Sequence, residues 1–193
     1  MSPLMQAGLF LLDTVFSFFI VSLLLRILLQ LVHADFYNPI SQAVLKISNF
    51  FVLGIRRLIP GYFGVDWSSV LSLVILAFLK EGLLIAMQTG VWVNSLGLLL
   101  LALADILSLV FYIYLFATLI IVITSWLSPA PTNPLVQIAA QLISPLFRAV
   151  RSKIPPLAGF DLAPFVVVIG FILFNILVVQ VIAQQGIMLI MAR

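Results

Sequence analysis

The chain has 193 residues, 64% hydrophobic and 8% charged, with a mean hydropathy of +1.33; a soluble fold needs about a quarter of its residues charged to cover its surface, so the composition excludes one and demands lipid. Nine Lys and Arg against six Asp and Glu give a net charge of +3, too thinly spread to form the basic stripe that nucleic acid requires. The absence of Cys removes disulfide frameworks, thiolate metal sites and cysteine nucleophiles.

A bilayer core is crossed by about 20 apolar residues at ~1.5 Å per residue. Four stretches meet that length, and the spans are expected at residues 9–32, 67–87, 98–127 and 162–182. No Lys or Arg precedes Arg26, so the basic start of a cleavable signal is missing and the first span is expected to remain. After it, Asn38 is placed to cap a helix and Pro39 to open its first turn. Ile40, Ala43, Val44, Ile47, Phe50, Phe51, Ile55 and Leu58 then recur at helical spacing, while Gln42, Lys46, Asn49 and Arg56 take the other side. This predicts an amphipathic helix at 39–58 lying in the headgroup plane, apolar face in lipid.

The second span follows Asp66 and ends at Gln88, Thr89, Gly90 and Asn94, the turn-forming cluster before the third span. A fifth span over residues 83–103 is the alternative by length alone. The third span is long enough to require tilt or protrusion. The next connection repeats the plan: Asn133 and Pro134 open a helix at 134–153, with Leu135, Ile138, Leu142, Leu146 and Val150 on one face and Gln137, Gln141, Arg148 and Ser152 on another.

Displacing the sequence by 95 positions aligns these connections without a gap: Asn38 with Asn133, Pro39 with Pro134, Gln42 with Gln137, Arg56 with Arg151, Pro60 with Pro155, Gly64 with Gly159 and Asp66 with Asp161. The chain is therefore read as an all-α membrane protein of two tandem repeats, residues 1–95 and 96–193, each a span, an interfacial helix and a span. An even number of spans per unit makes the repeat parallel. Lys46, Arg56, Arg57, Arg148, Arg151 and Lys153 all lie in the two connections, which the positive-inside rule assigns to the cytoplasm, with both termini outside.

Most matched residues have a structural reading. The Asn-Pro pairs start helices, Arg56 and Arg151 complement the last turn, the prolines stop it, the glycines allow reversal, and Asp66 and Asp161 are placed to cap the next span. The basic residues also suit contact with anionic headgroups or a protein partner. Within the spans, Arg26 is expected to snorkel or to pair with Asp35. Lys80 and Glu81 lie about 21 Å from the basic connections and Asp13 and Asp105 about 30 to 35 Å, so the four are expected to meet in the outer leaflet, with Asn175 at the repeat position of Lys80. Two readings stand for this cluster: an ion-pair network that fixes packing, or a cation or proton site. His33 is the one histidine, no phosphate-binding glycine pattern occurs, and neither a metal site, a cofactor nor a catalytic constellation is expected. Trp67 and Trp126, at span ends, suit an aromatic belt.

The second connection, with Ser125-Trp126, Asn133-Pro134, Ser144-Pro145-Leu146-Phe147-Arg148, Arg151, Ile154-Pro155-Pro156, Gly159-Phe160-Asp161 and Pro164, resembles the signature of the YggT family. The first is similar in Asn38-Pro39, Arg56-Arg57, Ile59-Pro60, Gly64 and Asp66, but departs at Asn49-Phe50 and at Ser69, where the pattern has proline. The resemblance implies a bacterial inner-membrane protein of the two-repeat form. Members are associated with osmotic-shock tolerance and cation homeostasis, and relatives with cell division, nucleoid organisation or haem attachment to a cytochrome. It carries no catalytic residue onto this chain. The expectation is a non-enzymatic membrane protein serving osmotic or ion homeostasis; a scaffold or assembly factor and a small oligomeric transporter are the alternatives.

Overall fold

A computed structural model describes residues 2–57, 59, 61, 66–91, 93–127, 133–156 and 161–192. Among them the chain is helical, in the order α1 (Pro3–Leu31), α2 (Pro39–Arg56), α3 (Trp67–Thr89), α4 (Ser95–Leu127), α5 (Pro134–Arg151), α6 (Ala163–Phe174), a π-helical turn (Asn175–Val179) and α7 (Gln180–Met191). The last three run on as one helix, so four helices are long and apolar enough to cross a membrane. Each repeat is thus span, short amphipathic helix, span. Among the described residues there is no fifth span: Gly90 ends α3 in the left-handed region, at φ +74°, with its N–H donating to Ala86 O at 2.8 Å, and α4 begins at Ser95.

Helix ends follow local chemistry more closely than hydropathy. The first span starts at Pro3 rather than residue 9, because Ser2 Oγ accepts from the Met5 N–H and proline suits the opening turn. The fourth runs to Met191 rather than residue 182. Gln184 and Gln185 interrupt the apolar run without supplying a helix stop, and Gly186 is packed against Gly97 of α4. At the end of α1, Ala34 N–H donates to Leu29 O at 2.9 Å and His33 N–H to Gln30 O at 3.1 Å. This is a Schellman closure with His33 in the left-handed position, at φ +52°.

The largest core joins the repeats. Ile20, Leu23 and Leu24 of α1 and Leu73, Leu76 and Ala77 of α3 pack with Val44 and Val52 of α2, and the cluster continues into Ala102 and Ile106 of α4 and Ile138 and Leu142 of α5. The second repeat adds a smaller cluster of Ile143, Phe147, Ala163 and Val167. Helix α4 lies against α3, α5 and the fourth span. The short helices meet across the repeat boundary, where Asn38 Nδ2 donates to Pro134 O at 3.0 Å and Asp35 N–H donates to Gln141 Oε1 at 3.1 Å.

The two short helices bury equivalent faces, displaced by the same 95 positions, but of different chemistry. In α5 the buried residues are Val136, Ile138, Ala139, Leu142, Ile143 and Phe147; in α2 they are Ser41, Val44, Ser48 and Val52. The serines of α2 face the protein, and Phe50, from the predicted apolar face, is 78% exposed. The serines on the buried face of α2 suit the polar centre that it covers, and the exposed Phe50 suits a lipid-facing side.

Candidate functional site

Two charged centres are built on the spans. The first surrounds Lys80, in the interior of α3. Its side chain is 5% exposed, and its ammonium lies 2.7 Å from Asp105 Oδ2 on α4, 3.5 Å from Asp13 Oδ1 on α1 and 3.6 Å from Glu81 Oε1. All four residues singled out in the sequence are therefore brought together from three spans. The carboxylates are less enclosed than the lysine, with Asp13 52%, Asp105 24% and Glu81 18% exposed. One ammonium faces three carboxyl groups, of which Asp13 is the most exposed. Chemically, such a centre holds helices in register and attracts a cation or a proton. Asn175, at the equivalent position of the second repeat, begins the π-helical turn, which packs on α4 and not on α1 or α3. Among the described residues no group of three His, Cys, Asp or Glu is arranged to hold a metal ion.

The second centre was not foreseen. Arg26 does not snorkel to water and does not meet Asp35, whose carboxylate accepts from the Tyr37 N–H. It is 7% exposed and points beneath α2. There Nη1 donates to Ser48 Oγ at 3.0 Å and Asn49 Oδ1 at 2.7 Å, and Nη2 donates to Asp66 Oδ2 at 3.1 Å. The same Asp66 oxygen accepts from Arg56 Nη2 at 2.6 Å and Ser69 Oγ at 2.9 Å. Burial by itself raises the Asp66 carboxyl, but the Ser69 hydroxyl and the Arg56 and Arg26 guanidiniums outweigh it and hold the group below the usual carboxylate range. Asp66 stands at the N-cap position of α3, but its carboxylate accepts no backbone N–H of the first turn, a correction to its expected role.

In the second repeat the Arg56–Asp66 pair recurs as Arg151–Asp161, with Nε at 3.1 Å and Nη2 at 2.5 Å from Asp161 Oδ2. Asp161 Oδ1 also accepts from the Ala163 N–H at 3.0 Å, from one residue before the N-cap position at Leu162. The Arg151 hydrogen bond is the main reason its carboxyl lies below the usual range. Arg56 and Arg151, expected to face lipid or a partner, are thus engaged in tying each short helix to the following span. Lys46, Arg57, Arg148 and Lys153 are exposed. Asn38 and Asn133 cap α2 and α5 through their side-chain oxygens, at 2.9 and 2.8 Å from the Ile40 and Leu135 N–H groups, with Pro39 and Pro134 opening the helices. Pro155 follows the end of α5. Leu58, Pro60, Gly64 and Gly159 lie outside the described residues.

A signal for the second centre was present in the repeat itself. At the positions of Arg26, Ser48 and Ser69 the second repeat has Ile121, Ile143 and Pro164, so the polar residues peculiar to the first copy are the ones that assemble.

The family model described as CCB3/YggT matches residues 5–87 and again residues 100–182. These segments are offset by the same 95 positions that align the chain with itself. An uncharacterized protein of Pseudomonas aeruginosa is 36% identical over 96% of this chain and 94% of its own length. The uncharacterized protein YggT of Escherichia coli strain K12 is 35% identical over 94% of both chains. An uncharacterized protein from the proC 3' region of Vibrio alginolyticus is 33% identical over 90% of this chain and 94% of its own. No solved structure matches the chain.

Proposed function

The chain belongs to the CCB3/YggT family, and on that premise we propose that it is a non-enzymatic protein of the bacterial inner membrane that supports osmotic tolerance and cation homeostasis. The observation that carries this reading is the Lys80 centre, where one ammonium is set among three carboxylates drawn from α1, α3 and α4. Ionisable groups are expensive inside a bilayer, and a purely structural pair would need one carboxylate, not three. The excess carboxylates give a cation a place to dwell, and Asp13 gives it an approach.

Both connections are assigned to the cytoplasm and both termini to the periplasm, making the repeat parallel. The Asn38–Pro134 contact supports one shared side for α2 and α5, because short helices on opposite faces of a bilayer are kept apart by its thickness. Exposed Lys46, Arg57, Arg148 and Lys153 favour anionic headgroups as a partner and also support a second reading, a scaffold that docks another membrane protein on this face. A homo-oligomer enlarging the four-span unit is the arrangement in which a transporter would operate.

Purified protein in liposomes under an osmotic gradient tests the first reading. Cation flux is expected above protein-free vesicles, reduced at least severalfold by Glu81→Gln and by Lys80→Met. Unchanged flux with Asp13, Glu81 and Asp105 each neutralised sinks the cation reading, and crosslinks from α2 or α5 to another membrane protein then favour the scaffold.

A further inference from the structure

The Arg26–Asp66 centre borders a cavity of about 500 Å³ enclosed by the ends of α1 and α3 and by α2. Arg26, Ser41, Arg56 and Asp66 line it together with apolar Val44 and Phe36. Two buried side-chain oxygens among the described residues make no hydrogen bond, Ser41 Oγ and Asp66 Oδ1, and both residues line this one cavity. Ser41 is 4% and Asp66 5% exposed. Native proteins rarely leave buried polar atoms unmet, and two that converge on one space mark it for a ligand that completes them.

The lining dictates the ligand's chemistry. Two guanidiniums and one carboxylate leave a net positive charge, and Arg56 is 50% exposed, so an anion is accommodated at the mouth. Asp66 already has two guanidiniums on its other oxygen. A third cation there would be repelled, so Oδ1 needs a neutral donor, a hydroxyl rather than an ammonium. Phe36, 61% exposed at the rim, offers an apolar way out toward lipid.

From this we infer that the first repeat holds a polyol phosphate ester, its phosphate at Arg56 and its hydroxyls donating to Asp66 Oδ1 and Ser41 Oγ, supplied by the membrane as the headgroup of a phosphatidylglycerol. The second repeat has no such site. Its residues at the positions of Arg26, Ser41 and Ser48 are Ile121, Val136 and Ile143, the last two buried in apolar packing. The site stands independently of any cation at Lys80.

The test uses the full chain in nanodiscs of phosphatidylglycerol, phosphatidylethanolamine and phosphatidylcholine in equal parts, with retained lipid read by native mass spectrometry. One phosphatidylglycerol per chain is expected to be retained in preference to the other two. Ser41→Val, which installs the second repeat's own residue, lowers that retention about tenfold through the lost hydrogen bond, whereas Arg148→Gln on the exposed face of α5 leaves it unchanged. Equal retention of all three lipids, or a preference for phosphatidylethanolamine, overturns the inference, as does an equal loss in both variants, which would mark mere surface attraction. Saturable binding of glycerol 3-phosphate in phosphatidylcholine nanodiscs, weakened by Ser41→Val, keeps the chemistry and transfers its source to the cytoplasm.

Discussion

At Lys80, whose side chain is 5% exposed, a single ammonium is shared by three carboxylates, and its removal leaves those carboxylates facing one another without a counter-charge. Breaking a buried pair on one side typically costs about 3 to 5 kcal/mol, whereas replacing both partners by apolar groups is often neutral. Lys80→Met is therefore expected to destabilise the bundle by about 3 kcal/mol in mixed-micelle denaturation, with Lys80→Met/Asp105→Leu recovering a good part of the loss. The carboxylates that tie the short helices to the spans predict a pH dependence. Asp66 and Asp161 are both held below their ordinary value, so the unfolded chain binds more protons in acid and their stabilisation is complete above about pH 4. It is lost as pH falls through the depressed folded values. Stability followed from pH 7 to 3 should hold steady and then drop in the acid range, and Asp66→Asn should flatten that drop.

Among the helices, α4 and the fourth span approach most closely at two glycines. A Cβ on Gly97 would stand 2.9 Å from Gly186 O and 2.7 Å from Ile190 Cγ1. The side chain can turn away; the backbone carbonyl cannot, because small residues at this crossing set the helix separation. Gly97→Ala should cost about 1 to 3 kcal/mol in the same assay, and Ile190→Ala should rescue only part of it. At the end of α1, His33 holds a left-handed position that glycine adopts freely. His33→Gly is expected to raise stability by about 0.5 to 1 kcal/mol, with no change in helix content by circular dichroism. Elements of this kind were legible to different depths. The Asn-Pro starts of α2 and α5 were readable because a cap is a contact between neighbours in sequence. The polar partner that the serines of α2 meet was not, because it depends on Arg26 and Asp66, which no local pattern connects to Ser48.

For the whole molecule, the parallel repeat requires α2 and α5 to share a face of the membrane. The natural chain has no cysteine, so single cysteines report cleanly. Lys46→Cys and Lys153→Cys should both react with an impermeant maleimide only from the cytoplasmic side, and Gln6→Cys only from the periplasmic side. Labelling of Lys46→Cys and Lys153→Cys from opposite sides would rule out the parallel repeat.

By itself the sequence determined the solvent, the number of spans and the repeat, since each follows from apolar length and from residue order displaced by 95 positions. It also brought Asp13, Lys80, Glu81 and Asp105 into one leaflet, because rise per residue along a straight helix is nearly constant. Depth leaves azimuth open. Which way Arg26 points, that Arg56 and Arg151 spend their charge on Asp66 and Asp161, and that Ser41 and Asp66 converge on one cavity were decided by how α2 lies across α1 and α3. Such contacts join residues from separate helices, and only their packing fixes the rotation of each about its own axis.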